Sequence, residues 1–244
     1  MNKKPSVSVL VPAYNEASLI RETVNELVSY LKTLDLDSFE VIICVNGSTD
    51  STEEVSKQLS EEFREVKYFS IKNRGFGLAL TEGIKRASKE VITFVPGDGE
   101  INPEFIGNSL ALMNEYDFVS GSRYIDNKSV GSSRLRRLLS FAFAVFFRTL
   151  FGFNLTEVGT VKMFKTRWAR GVVDKLTEKN YAWQIQTTYH ALSSGLKVTE
   201  IPVKTRVKRD SSQSKVKIIS DGLSLFLTCL KYGIMLNFHK TFKR

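Results

Sequence analysis

Over its first 120 residues the chain alternates short apolar runs with segments of helical period, a pattern that few architectures can satisfy. Val7–Val11, Val41–Val45, Val66–Ile71, Val91–Val95 and Phe118–Ser120 are brief, rich in β-branched residues and bounded by turn formers, which predicts strands. Between them, Ser18–Leu34, Ser51–Glu62, Gly77–Ser88 and Pro103–Asn114 repeat apolar residues three and four apart, which predicts helices. Parallel neighbours need a crossover, so repeated β-α-β units build an α/β fold with a mostly parallel central sheet flanked by helices. Such sheets bind ligands beyond the carboxyl ends of their strands. With 244 residues, 42% apolar and 25% charged, the chain can bury one large core and is not a disordered polymer.

Each predicted strand end carries polar and turn residues: Pro12-Ala13-Tyr14-Asn15-Glu16, Asn46-Gly47-Ser48-Thr49-Asp50, Lys72-Asn73-Arg74-Gly75-Phe76-Gly77 and Pro96-Gly97-Asp98-Gly99-Glu100. Their convergence on one sheet edge predicts a binding site rather than unrelated turns. Gly75-Phe76-Gly77 could open a dinucleotide fingerprint, but it follows the third strand and Leu80 stands where a third glycine is required, so a nicotinamide cofactor is excluded. The glycines instead let backbone approach a ligand closely, with Lys72 and Arg74 at hand for phosphate. The fourth loop delivers two carboxylates, Asp98 and Glu100, between glycines.

The net charge of +9 is unevenly placed, with clusters at Arg134, Arg136 and Arg137, from Lys204 to Lys217, and at Lys240, Lys243 and Arg244. This predicts an anionic partner, either phosphate groups or an anionic membrane surface. Nothing resembling a helix-turn-helix, a zinc-ligand set or a base-stacking sheet accompanies the charge, so nucleic acid is not expected. Cys44 and Cys229 have no pairing framework and read as reduced core thiols. No apolar leader follows Met1, which predicts a cytoplasmic protein. His190 and His239 have no motif around them and read as structural or surface residues.

Taken in order, Val9-Leu10-Val11-Pro12-Ala13-Tyr14-Asn15-Glu16, the Asn46–Asp50 turn, Asn73-x-Gly75-x-Gly77-x-Ala79-Leu80 and Gly121-Ser122-Arg123-Tyr124 resemble glycosyltransferase family 2, and within it the dolichyl- or polyprenyl-phosphate sugar synthases. The resemblance runs from about Ser6 to Val216. It implies a GT-A fold, a nucleotide-sugar donor linked to UDP or GDP, Mg²⁺ or Mn²⁺, and inverting transfer of a hexose onto a lipid phosphate. By that resemblance Pro12, Ala13, Tyr14, Glu16, Asp98, Arg209 and Lys215 bind the donor, joined by Asn46, Lys72 and Gly75 of the neighbouring loops, and Arg123, Arg136 and Ser140 bind the acceptor phosphate. Asp98 and Glu100 are the metal ligands it implies, and Asp98 and Glu157 the catalytic residues.

The chain departs from the family in two places. Pro96 occupies the first position of the usual Asp-x-Asp motif, leaving Asp98 and the trailing Glu100, and Val45-Asn46 replaces a pair of aspartates of which the first normally helps read the base. Two carboxylates, diphosphate oxygens and water can still satisfy a hard cation. Loss of the metal altogether is the competing expectation for the same residues.

The expected organisation is a GT-A domain over 1–216, divided into a nucleotide-sugar half (1–120) and an acceptor half (121–216), followed by an amphipathic helical tail over 217–244. Ser133–Arg148 combines arginines with Phe and Leu on a helix too short to span a bilayer, which fits an interfacial position or a buried or dimeric contact. The tail is expected to dock on a membrane, on a partner such as a second copy of the chain, or on its own core. The expected protein is therefore peripheral at the cytoplasmic face of a membrane. Transfer to a saccharide or protein hydroxyl, and a non-catalytic nucleotide-sugar or membrane-binding module, are the alternative functions.

Overall fold

The computed structural model describes residues 4–125, 145, 146, 148, 149, 151, 155–206 and 225–236. The elements β1 (Ser6–Ala13), α1 (Ile20–Thr33), β2 (Ser38–Asn46), α2 (Thr52–Glu62), β3 (Val66–Ile71), α3 (Phe76–Arg86), β4 (Val91–Phe94), α4 (Glu104–Leu112) and β5 (Phe118–Ser122) follow the expected order. After them come β6 (Lys162–Lys165), α5 (Thr166–Val172), a single 3₁₀ turn (Val173–Lys175), α6 (Trp183–Ser193) and β7 (Val198–Pro202). Residues 225–236 are also helical.

The strands form one seven-stranded sheet in the order β3-β2-β1-β4-β6-β5-β7. β1 lies parallel to β2 and β4, β2 to β3, and β5 to β7. β6 is antiparallel to both of its neighbours, pairing Ile92 with Phe164 on one side and Phe118 with Phe164 on the other. The sequence pattern did not predict β6, since Lys162-Met163-Phe164-Lys165 is too short and too charged to read as a buried strand. β1 and β2 are buried along nearly their whole length, which explains their continuous apolar runs.

The helices form because each presents an apolar face to this sheet. On α1 that face is Ile20, Val24, Leu27, Val28 and Leu31, all buried. The helix starts two residues later than predicted because the carbonyl of Glu16 accepts the amides of both Leu19 and Ile20, closing a turn first. A main core spans both sides of the sheet. A second cluster contains Phe151, Leu155, Val158, Ile185 and Tyr189 together with Cys229, Tyr232 and Leu236 from the C-terminal helical segment. Of the docking modes open to that segment, residues 225–236 thus use the protein's own core for one face.

Candidate active site

Loops from the carboxyl ends of β1, β2, β3 and β4 meet at one edge of the sheet. The first two are laced together: Asn15 receives the Thr49 amide on Oδ1 at 2.8 Å and donates its own amide to Ser48 Oγ at 3.1 Å. Asn15 has φ 53°, a left-handed conformation that asparagine tolerates better than most residues. Glu16 donates its amide to Thr52 Oγ1 at 2.8 Å, and Ala17 donates to Asp50 Oδ2 at 3.1 Å. Burial works to raise the Asp50 carboxyl, but the Thr52 hydroxyl and the Ala17 and Thr52 amides outweigh it and hold the group below its ordinary range.

Asn46 is 4% exposed and donates Nδ2 to the carbonyls of Ala13 (2.9 Å) and Cys44 (3.3 Å), while its Oδ1 accepts the Gly75 amide at 3.2 Å. The side chain expected to face the donor is thus committed to backbone as a strut between the first and third loops. Gly47 has φ 67°, and a Cβ there would lie 2.7 Å from the Arg74 amide, so only glycine permits this approach. The Arg74 guanidinium sits 4.2 Å from the centroid of the Tyr14 ring, a cation–π contact at the site's edge. Lys72 is exposed beside it.

Pro12 and the Asp98 loop are joined by the Gly97 amide, which donates to the Pro12 carbonyl at 3.1 Å. Asp98 Oδ1 accepts the Glu100 amide at 3.1 Å, and Gly99 adopts φ 68° to close the turn. The Arg206 amide donates to the Glu100 carbonyl at 2.8 Å, and its guanidinium pairs with Glu26 on α1, so the loop is held from both sides. Both carboxylates are partly exposed, and two hard oxygen donors fit part of a Mg²⁺ or Mn²⁺ coordination shell. Among the described residues no group of three or more His, Cys, Asp or Glu side chains assembles.

Arg123 directly follows β5, at the same edge of the sheet. Its guanidinium pairs with Glu157 through Nε (2.9 Å) and Nη2, and its backbone amide donates to the other Glu157 oxygen at 2.8 Å. Arg123 Nη1 also lies 3.9 Å from Glu100 Oε1, so one guanidinium faces both Glu157 and the Asp98–Glu100 loop. Burial works against its charge, but Glu157 more than restores it and keeps the group protonated.

Arg123 and Glu157, expected in separate roles, are therefore brought together, and Asp98 and Glu100 lie at the same edge. Arg136, Ser140, Arg209 and Lys215, with most of the 133–148 segment, lie outside the described residues.

Sequence reasoning missed Glu200 on β7 and Lys162 on β6. Glu200 accepts the amides of Thr156 (2.8 Å to Oε2) and Glu157 (2.8 Å to Oε1) and the Thr156 hydroxyl (2.7 Å). Burial raises the Glu200 carboxyl against the lowering effect of those donors. Lys162 is wholly buried and donates to the carbonyls of Val158 (2.7 Å) and Thr160 (3.1 Å) and to Gln184 Oε1 (2.5 Å). The available signal was a lone lysine inside Val161-Lys162-Met163-Phe164, since buried lysine is rare without a partner.

A parallel sheet with donor-type loops at its carboxyl edge, extended by a mixed half that supplies a second set of polar groups, is the GT-A architecture of nucleotide-sugar transferases. The structure overlays on glucosyl-3-phosphoglycerate synthase from Mycobacterium tuberculosis, solved with UDP, with a TM-score of 0.68 at 18% identity, over 94% of this chain and 80% of that one. The same enzyme solved with Mn²⁺, UDP-glucose and phosphoglyceric acid gives a TM-score of 0.67 at 17% identity, covering 94% and 80% of the two chains.

In sequence, the family described as Glycosyl transferase family 2 matches residues 8–173, more than half of the chain. The chain belongs to glycosyl transferase family 2 and is a glycosyltransferase. It is 27% identical to glycosyltransferase AglD of Haloferax volcanii over 224 residues, 90% of this chain and 35% of that protein. It is 29% identical to dolichyl-phosphate beta-glucosyltransferase of Dictyostelium discoideum over 247 residues, covering 90% and 75% of the two. The chain thus spans about a third of the length of the Haloferax relative.

Proposed function

We propose that the enzyme moves a hexose from a nucleoside diphosphate, UDP first among the candidates and GDP second, to a polyprenyl or dolichyl phosphate at the cytoplasmic face of a membrane, with inversion. The carrying observation is the 3.9 Å approach of Arg123 to Glu100, which brings a cation of the acceptor half against the acidic loop of the donor half. Group transfer requires both substrates at one point, and this is where the two halves supply opposite charges. The likeness to a dolichyl-phosphate glucosyltransferase and to folds solved with UDP supports the choice of substrates.

Pro12, Ala13, Tyr14, Glu16 and Gly75 shape the donor pocket, with Asn46 holding its loops in register and Lys72 facing the phosphates. Asp98 and Glu100 would hold Mg²⁺ or Mn²⁺, which when bound neutralises charge on the departing diphosphate. In the proposed step an acceptor phosphate oxygen attacks the anomeric carbon, the bond from that carbon to the diphosphate oxygen breaks, and the sugar emerges inverted. The nucleophile is already anionic, so no proton has to be removed.

Glu157 fits this reading: with Arg123 on both its oxygens it orients a phosphate-binding guanidinium rather than taking a proton. Arg136, Ser140, Arg209 and Lys215 are assigned to acceptor and donor phosphates on sequence resemblance alone. The same resemblance carries the division into a GT-A domain over 1–216 and a tail over 217–244.

Calorimetric titration with UDP- and GDP-sugars, with and without Mn²⁺, followed by transfer assays on polyprenyl phosphate, tests the reading. Metal-dependent binding of one donor is expected, and Asp98→Ala should abolish the metal dependence and lower transfer by about 10²–10³-fold. Folded protein that binds no donor, or transfers only to hydroxyl acceptors without lipid, would overturn it.

A further inference from the structure

The Thr156–Thr160 loop carries Glu157 to Arg123, and two charged side chains that no donor or acceptor role requires grip that loop from opposite ends. Glu200 takes its amides, Thr156 and Glu157, together with the Thr156 hydroxyl, which is itself 2.6 Å from Ser122 Oγ at the end of β5. Lys162 takes its carbonyls, Val158 and Thr160, and ties them to Gln184 on α6. Thr160 adds a hydroxyl bond to the Gly121 carbonyl on β5.

A buried lysine is expensive, and an apolar residue of similar length would satisfy the packing better. What an apolar residue cannot do is saturate carbonyls. Val158 O and Thr160 O both belong to the loop, so the ammonium fixes the loop's trailing peptides while the carboxylate fixes its leading ones. Resting on the acceptor-side reading above, we propose that Lys162 and Glu200 are positioning residues, clamping the Thr156–Thr160 loop so that Glu157 holds Arg123 in the geometry that receives the acceptor phosphate.

Three acceptors surround the Lys162 nitrogen, matching the three hydrogens of an ammonium, whereas a neutral amine has only two. Burial lowers the lysine to about 7, against the opposing pull of Glu157 and Glu200, the charged groups that act on it from the loop and from β7; α6 contributes uncharged Gln184. The clamp therefore slackens as pH rises through that region, while ionisation of an acceptor phosphate monoester works in the other direction at lower pH.

The test compares Lys162→Met, Gln184→Glu and wild type by kinetics across pH and by NMR of the Arg123 Nε–H. Lys162→Met should keep donor binding and a cooperative fold, lose about 10- to 100-fold in kcat/KM for the acceptor, and lose the alkaline fall in rate. Gln184→Glu puts a carboxylate at the ammonium and should move that fall to higher pH, a change that a purely structural lysine would not produce. The Arg123 Nε–H, hydrogen-bonded to Glu157 in wild type, should change environment in Lys162→Met whatever the acceptor is. Wild-type protein that ignores polyprenyl phosphate would count against the acceptor reading, and the NMR comparison would still decide the clamp. An unchanged Arg123 resonance in folded Lys162→Met, or an alkaline limb unmoved by Gln184→Glu, would overturn it.

Discussion

Glu40 shows how far a single residue can set stability at a distance from the chemistry. It lies on β2 and its buried carboxylate accepts Ser8 Oγ at 2.7 Å, Lys67 Nζ at 2.8 Å, and the amide and hydroxyl of Ser88 at 2.6 and 2.9 Å. It thereby ties β1, β3 and the entry to β4. Burial alone would raise this carboxyl, but Lys67, Ser8 and Ser88 together bring it down to about 2. Because the folded value lies below the unfolded one, the contribution is present above the unfolded pKa of 4.5 and is lost as pH falls toward 2. Glu40→Gln should cost about 3 kcal/mol near neutral pH, and the difference from wild type in urea unfolding should shrink between about pH 4.5 and 2. Lys162 is depressed too, from 10.5 to about 7, so stability again rises with pH, but here the shift measures a cost: the burial penalty is full below about pH 7 and fades toward 10.5. Residues of this kind were hard to read in advance, since Glu40 and Lys162 each look like an ordinary charge at a strand end until the sheet brings their partners across 48 and 22 residues.

At the scale of elements, local pattern predicted well wherever one segment decides its own structure. α1 and β1 to β5 appear where apolar period and turn residues put them, because their buried faces are continuous in sequence. β6 escaped because a four-residue strand is defined by its neighbours, not by its own pattern. The donor loops were legible as loops, yet the strut role of Asn46 was not, because its partners Ala13 and Gly75 are remote in sequence. The glycines of the third loop were read as allowing a ligand close. Gly77 instead admits the protein itself: a Cβ there would lie 2.3 Å from the Glu178 carbonyl and 2.6 Å from Trp183 Cβ. α3 is consequently seated directly against the chain that leads into α6, with the Leu78 amide bonded to Lys179 O at 3.1 Å. Gly77→Ala should cost about 1–3 kcal/mol through overpacking. At about 2–4 °C per kcal/mol, calorimetry would show a clear fall in Tm.

For the molecule as a whole, the proposed lipid acceptor raises the question of which surface could meet a membrane. Among the described residues no helix is long and apolar enough to cross a membrane. The helical residues 225–236 bury Cys229, Tyr232 and Leu236 in the second core but leave Phe226, Leu227, Ile234 and Met235 exposed by 40–56%. Leu227 and Ile234 are seven residues apart, close to two helical turns, and so centre an outward apolar face crossed by Lys231. Phe146 stacks on Phe226 with ring centroids 4.8 Å apart and extends that face. An apolar face crossed by a lysine suits the interface of an anionic bilayer. Vesicle flotation should find wild type on anionic liposomes, and Leu227→Ser with Ile234→Ser should release it while leaving donor binding intact. A double variant that still floats would place the lipid contact elsewhere.

The antiparallel strand β6 has a bearing on how enzymes of this shape can diversify. It arrives late in the chain, yet it is wedged between β4, which leads into the acidic loop, and β5, which leads into Arg123. Its seams with β4 at Val91–Lys165, Ile92–Phe164 and Thr93–Met163 mean that exchanging the chain after β5 would also place a foreign strand in the middle of the host sheet. The second half of this fold is therefore not an interchangeable cassette: it shares a three-pair seam with the first, and an exchange has to preserve it.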